Sequence, residues 1–256
     1  MDTFYDTIAR YYDPENDDVI DDLPLYSAFA DDTTGLIMDV GCGTGRVTFH
    51  LATEGHTVHG IDRSPEMLAR ARRKQALRPD LRTRCTLIDG DVLTDTFPAK
   101  YGLIILPYNT FMHLHAGDDQ QTTLIRLAKA LEPDGQLVID IPNAGEAFAA
   151  DHDGALTLER MFIEPETGHR VMQQAVSRLD RTAQLQHITW IYDEIDEHNV
   201  VHRTLAPLTL RYVFPREMDL MLAAAGLERI DRLGDYDESP FEDGCARMIV
   251  VARLIQ

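Results

Sequence analysis

The chain of 256 residues and 28.9 kDa is long enough for one large domain, or for a main domain with a smaller insertion, and too short for two full domains. Its formal net charge of -19 is spread along the whole length, so the sequence offers no basic track for phosphates and excludes nucleic acid as an expected partner; the acidity reads as a solubilising or salt-adapted surface, with attraction of cationic ligands as the alternative. Cys42, Cys85 and Cys245 form no C-x-x-C pair and have no metal-ligand spacing, so no metal is expected and a reducing, cytoplasmic setting fits.

The first residues, MDTFYDTIARYYDPENDD, lack the basic and apolar regions of a signal peptide. No apolar run approaches membrane-spanning length, so no membrane partner is expected. Short apolar runs then alternate with amphipathic ones. GLIMDV reads as a strand, TGRVTFHLATEG as a helix, HTVHGID as a strand and SPEMLARARRKQAL as a helix, with Ser64 suited to cap it and Pro65 to its first turn. RCTLID and YGLIIL follow as strands, DDQQTTLIRLAKALEPDG as a helix and QLVIDI as a strand. This order predicts an α/β fold with a parallel sheet covered by helices on both faces. From about Leu156 to Phe214 the pattern changes to extended runs, VMQQAVSRL, QLQHITWIYDEI and VVHRTLAPLTLRYVF, separated by the turn-like DRTA and DEHN. They predict an inserted antiparallel sheet over residues 156–214, with residues 1–155 and 215–256 forming the main domain. Leu208, Leu210, Tyr212 and Phe214 are expected to alternate as one buried face. A helix near Pro215, the segment LERIDRLG and the apolar strand MIVVARL close the chain.

The stretch Asp39-Val40-Gly41-Cys42-Gly43-Thr44-Gly45-Arg46 places three glycines directly after the first strand. Such a turn brings backbone close to a nucleotide-like ligand, because glycine allows positive φ and has no Cβ. A dinucleotide fingerprint, G-x-G-x-x-G, would have glycine where Arg46 stands. Together with HGIDRSPEML, GDV after strand three and the GDYD and RMIVVAR segments, the loop resembles the class I S-adenosylmethionine-dependent methyltransferases, over most of the chain. The resemblance implies a Rossmann-like seven-stranded sheet, S-adenosyl-L-methionine as methyl donor and S-adenosyl-L-homocysteine as product.

What the resemblance implies for single residues can be set beside their chemistry. Asp62, at the end of strand two, is expected to accept from both ribose hydroxyls with its two oxygens. Asp91 is expected to read the adenine amine, with the Val92 amide on a ring nitrogen; the alternative for Asp91 is a loop acid bonding local amides. Met67 either covers the adenine face or belongs to the core. Asp39 and Gly41 are expected beside the methionine portion, with Asp39 also able to hold the amides of its own loop. Gly43, Gly45 and Leu106 complete the expected cofactor site.

Leu106-Pro107-Tyr108-Asn109-Thr110-Phe111-Met112-His113-Leu114 follows strand four, the position that faces the transferable methyl in this family. It lacks the Asn-Pro-Pro-Tyr of nucleic-acid amino methylases. It is similar to the segment of small-molecule N-methyltransferases, such as glycine N-methyltransferase and sugar N,N-dimethyltransferase relatives, some of which carry a His-Leu pair where His113-Leu114 falls. His113 is the candidate base, its unperturbed pKa lying near working pH, with packing as its other reading. Asn109 either holds an acceptor or shapes the loop, and Tyr108 is expected at the substrate. Tyr11 and Tyr12 resemble the family's N-terminal lid tyrosines, with Tyr11 expected to border the acceptor cavity. From the inserted sheet, Trp190, Arg211 and Tyr212 are candidates to clamp an acceptor. The sheet itself reads as a substrate lid or as a dimer surface.

The expected activity is therefore methyl transfer to a small-molecule acceptor, with an amine as the preferred nucleophile. A non-catalytic S-adenosylmethionine-binding partner and an NAD-dependent oxidoreductase are the competing readings, the latter disfavoured by Arg46. A polyamine synthase would carry paired acids after strand four, where this chain has Pro107-Tyr108-Asn109.

Overall fold

The computed structural model describes residues 4–16, 18–145 and 154–256. Helices α1 (Phe4–Asn16) and α2 (Leu23–Asp31) precede the alternating unit β1 (Ile37–Val40), α3 (Arg46–Glu54), β2 (Val58–Asp62), α4 (Pro65–Ala76) and β3 (Cys85–Asp89). There follow β4 (Tyr101–Leu106), α5 (Gly117–Ala130) and β5 (Leu131–Pro142). Four long strands come next: β6 (Leu156–Ile163), β7 (Arg170–Asp180), β8 (Leu185–Ile195) and β9 (Val201–Arg211). Helix α6 (Pro215–Ala224) and strands β10 (Leu227–Leu233) and β11 (Arg247–Leu254) end the chain.

The main sheet has seven strands in the order β3-β2-β1-β4-β5-β11-β10. Strands β1 to β5 pair in parallel, as their near-continuous apolar runs require when both faces are covered. The sheet is not wholly parallel, because β11 runs against both β5 and β10. The loop from β10 into β11 returns along the same edge, so no crossover helix is needed. Strand β4 is buried at all six positions and sits at the centre of the core. No helix among the described residues is long and apolar enough to cross a membrane.

Three local expectations are corrected. The helix expected to run through residue 135 ends at Ala130, and the chain passes directly into β5 at Leu131, since Pro133 cannot continue a helix and disfavours α geometry at the residue before it. The inserted sheet has four strands, β6-β7-β8-β9, all antiparallel, rather than three. Leu208, Leu210 and Tyr212 are buried, but Phe214 is half-exposed: β9 has already ended at Arg211, and Phe214 caps α6 ahead of Pro215.

The inserted sheet lies over the carboxyl ends of the parallel strands, where ligands bind in open α/β folds. One cavity of about 440 Å³ is walled on one side by Asp39, Val40, Ile61, Asp62 and Leu106 from β1, β2 and β4, and on the other by side chains of β7, β8 and β9. The period-2 alternation of β8 turns Ile188, Trp190 and Tyr192 to that cavity. Register leaves room for the indole: Trp190 sits between Ala175 on β7 and Ala206 on β9.

Candidate active site

The glycine loop is shaped by position-specific needs. Gly41 has φ +72, and a Cβ there would meet the Thr110 side chain at 2.7 Å, so the loop after β1 presses against the loop after β4. Gly45 has φ +92 and opens α3; a Cβ would strike the Phe49 ring at 2.4 Å. Gly45 is thus fixed by helix entry and packing, and it does not line the cavity, contrary to its expected place at the cofactor. Arg46, where a dinucleotide fingerprint would have glycine, needs its side chain: both guanidinium nitrogens donate to the Asp22 carboxylate at 2.6 Å.

The remaining residues expected at the cofactor, Asp39, Gly41, Gly43, Asp62, Met67, Asp91, Val92 and Leu106, all line the cavity. Asp62 accepts from the Gly43 amide with one oxygen and from the Ser64 amide with the other, each at 2.8 Å. Burial pushes the Asp62 carboxyl up, and those two amides pull it back. Each oxygen retains a second lone pair for a ligand. Asp39 is 0% exposed and takes the Thr48 hydroxyl on Oδ2 at 2.6 Å, while Oδ1 has no hydrogen-bond partner. Burial raises its pKa to about 6, against the Thr48 bond and Arg46. A buried carboxylate oxygen without a donor, on the wall of a cavity, is complementary to an ammonium group such as that of S-adenosylmethionine. Asp91 spends one oxygen on the Leu93 amide at 2.8 Å, the local bonding considered for it from sequence. Met67 is fully buried and still reaches the cavity wall.

The loop after β4 is held in an uncommon backbone form, with Tyr108 at φ 41 and Asn109 at φ 72. Fully buried Asp140, on β5, holds it there. One Asp140 oxygen takes Arg247; the other takes the hydroxyls of Tyr26 and Tyr236 and the Tyr108 amide, at 2.8, 3.1 and 3.2 Å. Arg247 also donates to the Asn109 side-chain oxygen at 3.0 Å. Asn109 therefore lines the cavity with its carbonyl already engaged, which makes it a loop-shaping residue. Tyr108 lines the cavity with its ring between Arg46 and Arg247. His113 ends the following 3-10 turn, Thr110–His113, and its Nε2 is hydrogen bonded to the Tyr5 hydroxyl at 2.9 Å on the cavity wall.

Three candidates are displaced. Tyr11 does not line the cavity; it stacks on Tyr192 at 4.7 Å and donates to Glu194 at 3.0 Å, joining α1 to the inserted sheet. The cavity face of α1 is Phe4, Tyr5, Ile8, Tyr12, Glu15 and Asn16, which leaves Tyr11 to one side. Arg211 lies off the cavity, donating to Gln120 at 2.5 Å and Glu217 at 2.8 Å. Tyr212 is buried away from it and donates to Gln186 at 2.6 Å. Trp190 alone of the three inserted-sheet candidates faces the cavity.

Glu15 is the polar group the sequence reading missed. It is 6% exposed, its carboxyl lies beside the Tyr192 hydroxyl, and Oε1 has no hydrogen-bond partner. Burial raises its pKa to about 8, against the Tyr192 hydroxyl from β8 and the charge of Arg160 from β6. A carboxyl whose folded pKa lies above its ordinary value supports the fold below that ordinary value, and the support is lost as pH rises through about 8. Glu15→Gln, which retains an acceptor for Tyr192, should therefore raise Tm by more at about pH 8.5 than at about pH 5. For a chain of this size each kcal/mol is roughly 2–4 °C. Thermal denaturation at both pH values checks it, and equal shifts would contradict it.

Comparison with known proteins agrees with this geometry. A family described as methyltransferase domain matches residues 37–135, which contain the glycine loop, Asp62, Asp91 and the loop after β4. The chain is 26% identical over 221 residues to a glycine/sarcosine N-methyltransferase of Aphanothece halophytica, covering 85% of this chain and 75% of that one. It is 27% identical over 226 residues to a cypemycin N-terminal methyltransferase of a Streptomyces species, covering 84% and 81%. The solved structure of the CcbJ methyltransferase from Streptomyces caelestis superposes with a TM-score of 0.84 at 27% identity, over 99% of this chain and 98% of that one. With the sheet order, the glycine loop and the buried carboxylates at the strand ends, these likenesses place the chain in the class I S-adenosylmethionine-dependent methyltransferases, enzymes of the EC 2.1.1 class.

Proposed function

We propose that the enzyme methylates an amine on a small organic molecule held between the glycine loop and the inserted sheet. The observation that carries this reading is the two-sided cavity: polar glycine-loop residues and carboxylates on one wall, an apolar patch of Ile188, Trp190, Leu208 and Leu210 flanked by Glu159, Arg160 and Gln173 on the other, and His113 also on its lining. The apolar patch suits an acceptor with an apolar body. Of the two curated relatives above, one is by name an N-methyltransferase and the other an N-terminal methyltransferase. Residues 156–214 then serve as the substrate lid on a main domain of residues 1–155 and 215–256.

S-adenosylmethionine, when bound, supplies a methyl group activated by its sulfonium. Asp62 would hold the ribose, Asp91 and Val92 the adenine edge, and Met67 and Leu106 its faces. Asp39 and the Gly41–Gly43 backbone would hold the methionine end. The inserted sheet excludes water and aligns the nucleophile, an effect worth roughly 7–11 kcal/mol in favourable cases. His113, oriented by Tyr5, takes the proton that an ammonium must lose before its nitrogen has a lone pair.

S-adenosylhomocysteine at about 100 times its Kd should stabilise the fold by roughly 2.7 kcal/mol, and NAD should not. The reaction is tested by incubating the enzyme and S-adenosylmethionine with apolar amines and their alcohol counterparts, followed by mass spectrometry. A methyl increment on nitrogen is expected. Methylation of the alcohols alone would overturn the reading.

A further inference from the structure

We infer that the acceptor enters as a cation and that Glu15 pairs with its positive charge, making Glu15 a specificity-determining residue on the lid side of the cavity. The inference rests on the proposed N-methylation and deepens it by naming the charge of the substrate. Its basis is an unsatisfied acceptor in a built site. Glu15 is more than nine-tenths buried, lines the cavity, and leaves Oε1 without a donor. Its surroundings are organised: Gln173, opposite Tyr192 across the β7–β8 ladder, donates to the Tyr192 hydroxyl at 3.4 Å, and that hydroxyl lies beside the Glu15 carboxyl.

A protein cation is close by and is used elsewhere. Arg160 donates to the backbone carbonyl of Glu15 and approaches Asp18 at 3.4 Å, which leaves Oε1 of the carboxyl unpaired. A buried carboxyl left in this state costs stability in the empty protein, a cost found where a ligand supplies the missing donor. An ammonium group provides that donor and the opposite charge together. Once Glu15 is ionised, an anionic acceptor would meet it with repulsion, and a neutral one of the same shape would lose the charge-assisted bond. The net charge of -19 acts in the same direction, concentrating cations near the surface.

The test uses the full chain saturated with S-adenosylhomocysteine at about pH 8.5, where Glu15 is ionised and benzylamine is still mostly protonated, with two probes of matched shape, benzylamine and neutral benzyl alcohol. Calorimetric titration of the wild type should show benzylammonium binding at least about tenfold more tightly, the contribution of one hydrogen bond between charged groups. In Glu15→Gln the preference should fall to within about twofold, with S-adenosylhomocysteine affinity unchanged. Equal binding of the two probes to the wild type, no binding of benzylammonium, or a preference that survives in Glu15→Gln would each overturn the assignment. The wild-type comparison decides the matter even if the variant fails to fold. Amine turnover without a binding preference would reject the role of Glu15 and leave N-methylation standing. A preference that disappears in Glu15→Gln, in an enzyme that methylates no amine, would do the reverse.

Discussion

Asp62→Ala is expected to lower S-adenosylhomocysteine affinity by roughly 10²–10⁴ in a chain that still folds. The carboxylate stands at the carboxyl end of β2, and its two oxygens are oriented by the Gly43 and Ser64 amides at 2.8 Å. Those bonds fix the plane of the carboxylate and leave one lone pair per oxygen directed outward, the arrangement a vicinal diol requires. Two hydrogen bonds to a charged group, at about 1.5–3 kcal/mol each, give the range stated. Alanine also releases the Gly43 amide and loosens the loop, which adds to the loss. Asp62→Asn separates the two effects, because it keeps one acceptor oxygen and should bind with intermediate strength. Calorimetry with circular dichroism as the folding control measures both. Wild-type affinity in a well-folded Asp62→Ala chain would remove Asp62 from the cofactor site.

The sequence made Asp62 legible because its signal is local: an apolar strand, an acid at its end, and a Ser-Pro helix start two residues on. The same holds for β1 with its glycine loop and for Ser64, whose Oγ accepts from the Met67 amide at 3.2 Å. Tyr11 was misplaced for the opposite reason. Adjacent residues on a helix differ by about 100° in direction, and only the partner surface decides which tyrosine meets the cavity. Arg211 and Tyr212 looked like ligand-binding residues, but the structure gives them protein partners: Gln120 on α5 and Glu217 in the first turn of α6 for Arg211, and Gln186 on β8 for Tyr212. Strand β6 was missed because its alternation is weak at an exposed sheet edge, where burial imposes little pattern. Asp140 carried a readable sign, an acid inside the apolar run QLVIDI. Its partners come from α2, from the loop after β4, from the segment between β10 and β11 and from β11 itself, and no local reading assembles them.

That Asp140 cluster is why the segment after β4 can present a side chain reliably. Left-handed Tyr108 and Asn109 are costly backbone states, and the bonds from Asp140 and Arg247 hold them against relaxation. The Thr110–His113 turn starts directly from this fixed point, and Thr110 rests on Gly41. The geometry joins the glycine loop to the turn that carries His113, so these two parts of the site share one rigid support.

His113→Ala is accordingly expected to lower kcat by about 10²–10⁴, the usual contribution of a positioned general base, while cofactor affinity stays nearly unchanged. The split follows from where the interaction is made: His113 lines the cavity on the turn after β4, away from Asp62 and Asp91, and acts on the acceptor's proton. A cationic acceptor makes the base necessary, since an ammonium has no lone pair to offer carbon. Tyr5→Phe removes the hydroxyl 2.9 Å from Nε2 and should lower kcat less, because the ring loses a partner that orients it. Tyr11→Phe should act differently from both: its hydroxyl bonds Glu194 rather than the cavity, so the effect should fall on the fit of the inserted sheet against α1 and leave the pH profile in place. The measurements are kcat and KM from about pH 6 to 9 with the best amine found in the mass-spectrometric screen, and S-adenosylhomocysteine affinity for each variant. Wild-type kcat for His113→Ala across that range would leave alignment by the two walls as the source of the rate and reduce the histidine to packing against Tyr5.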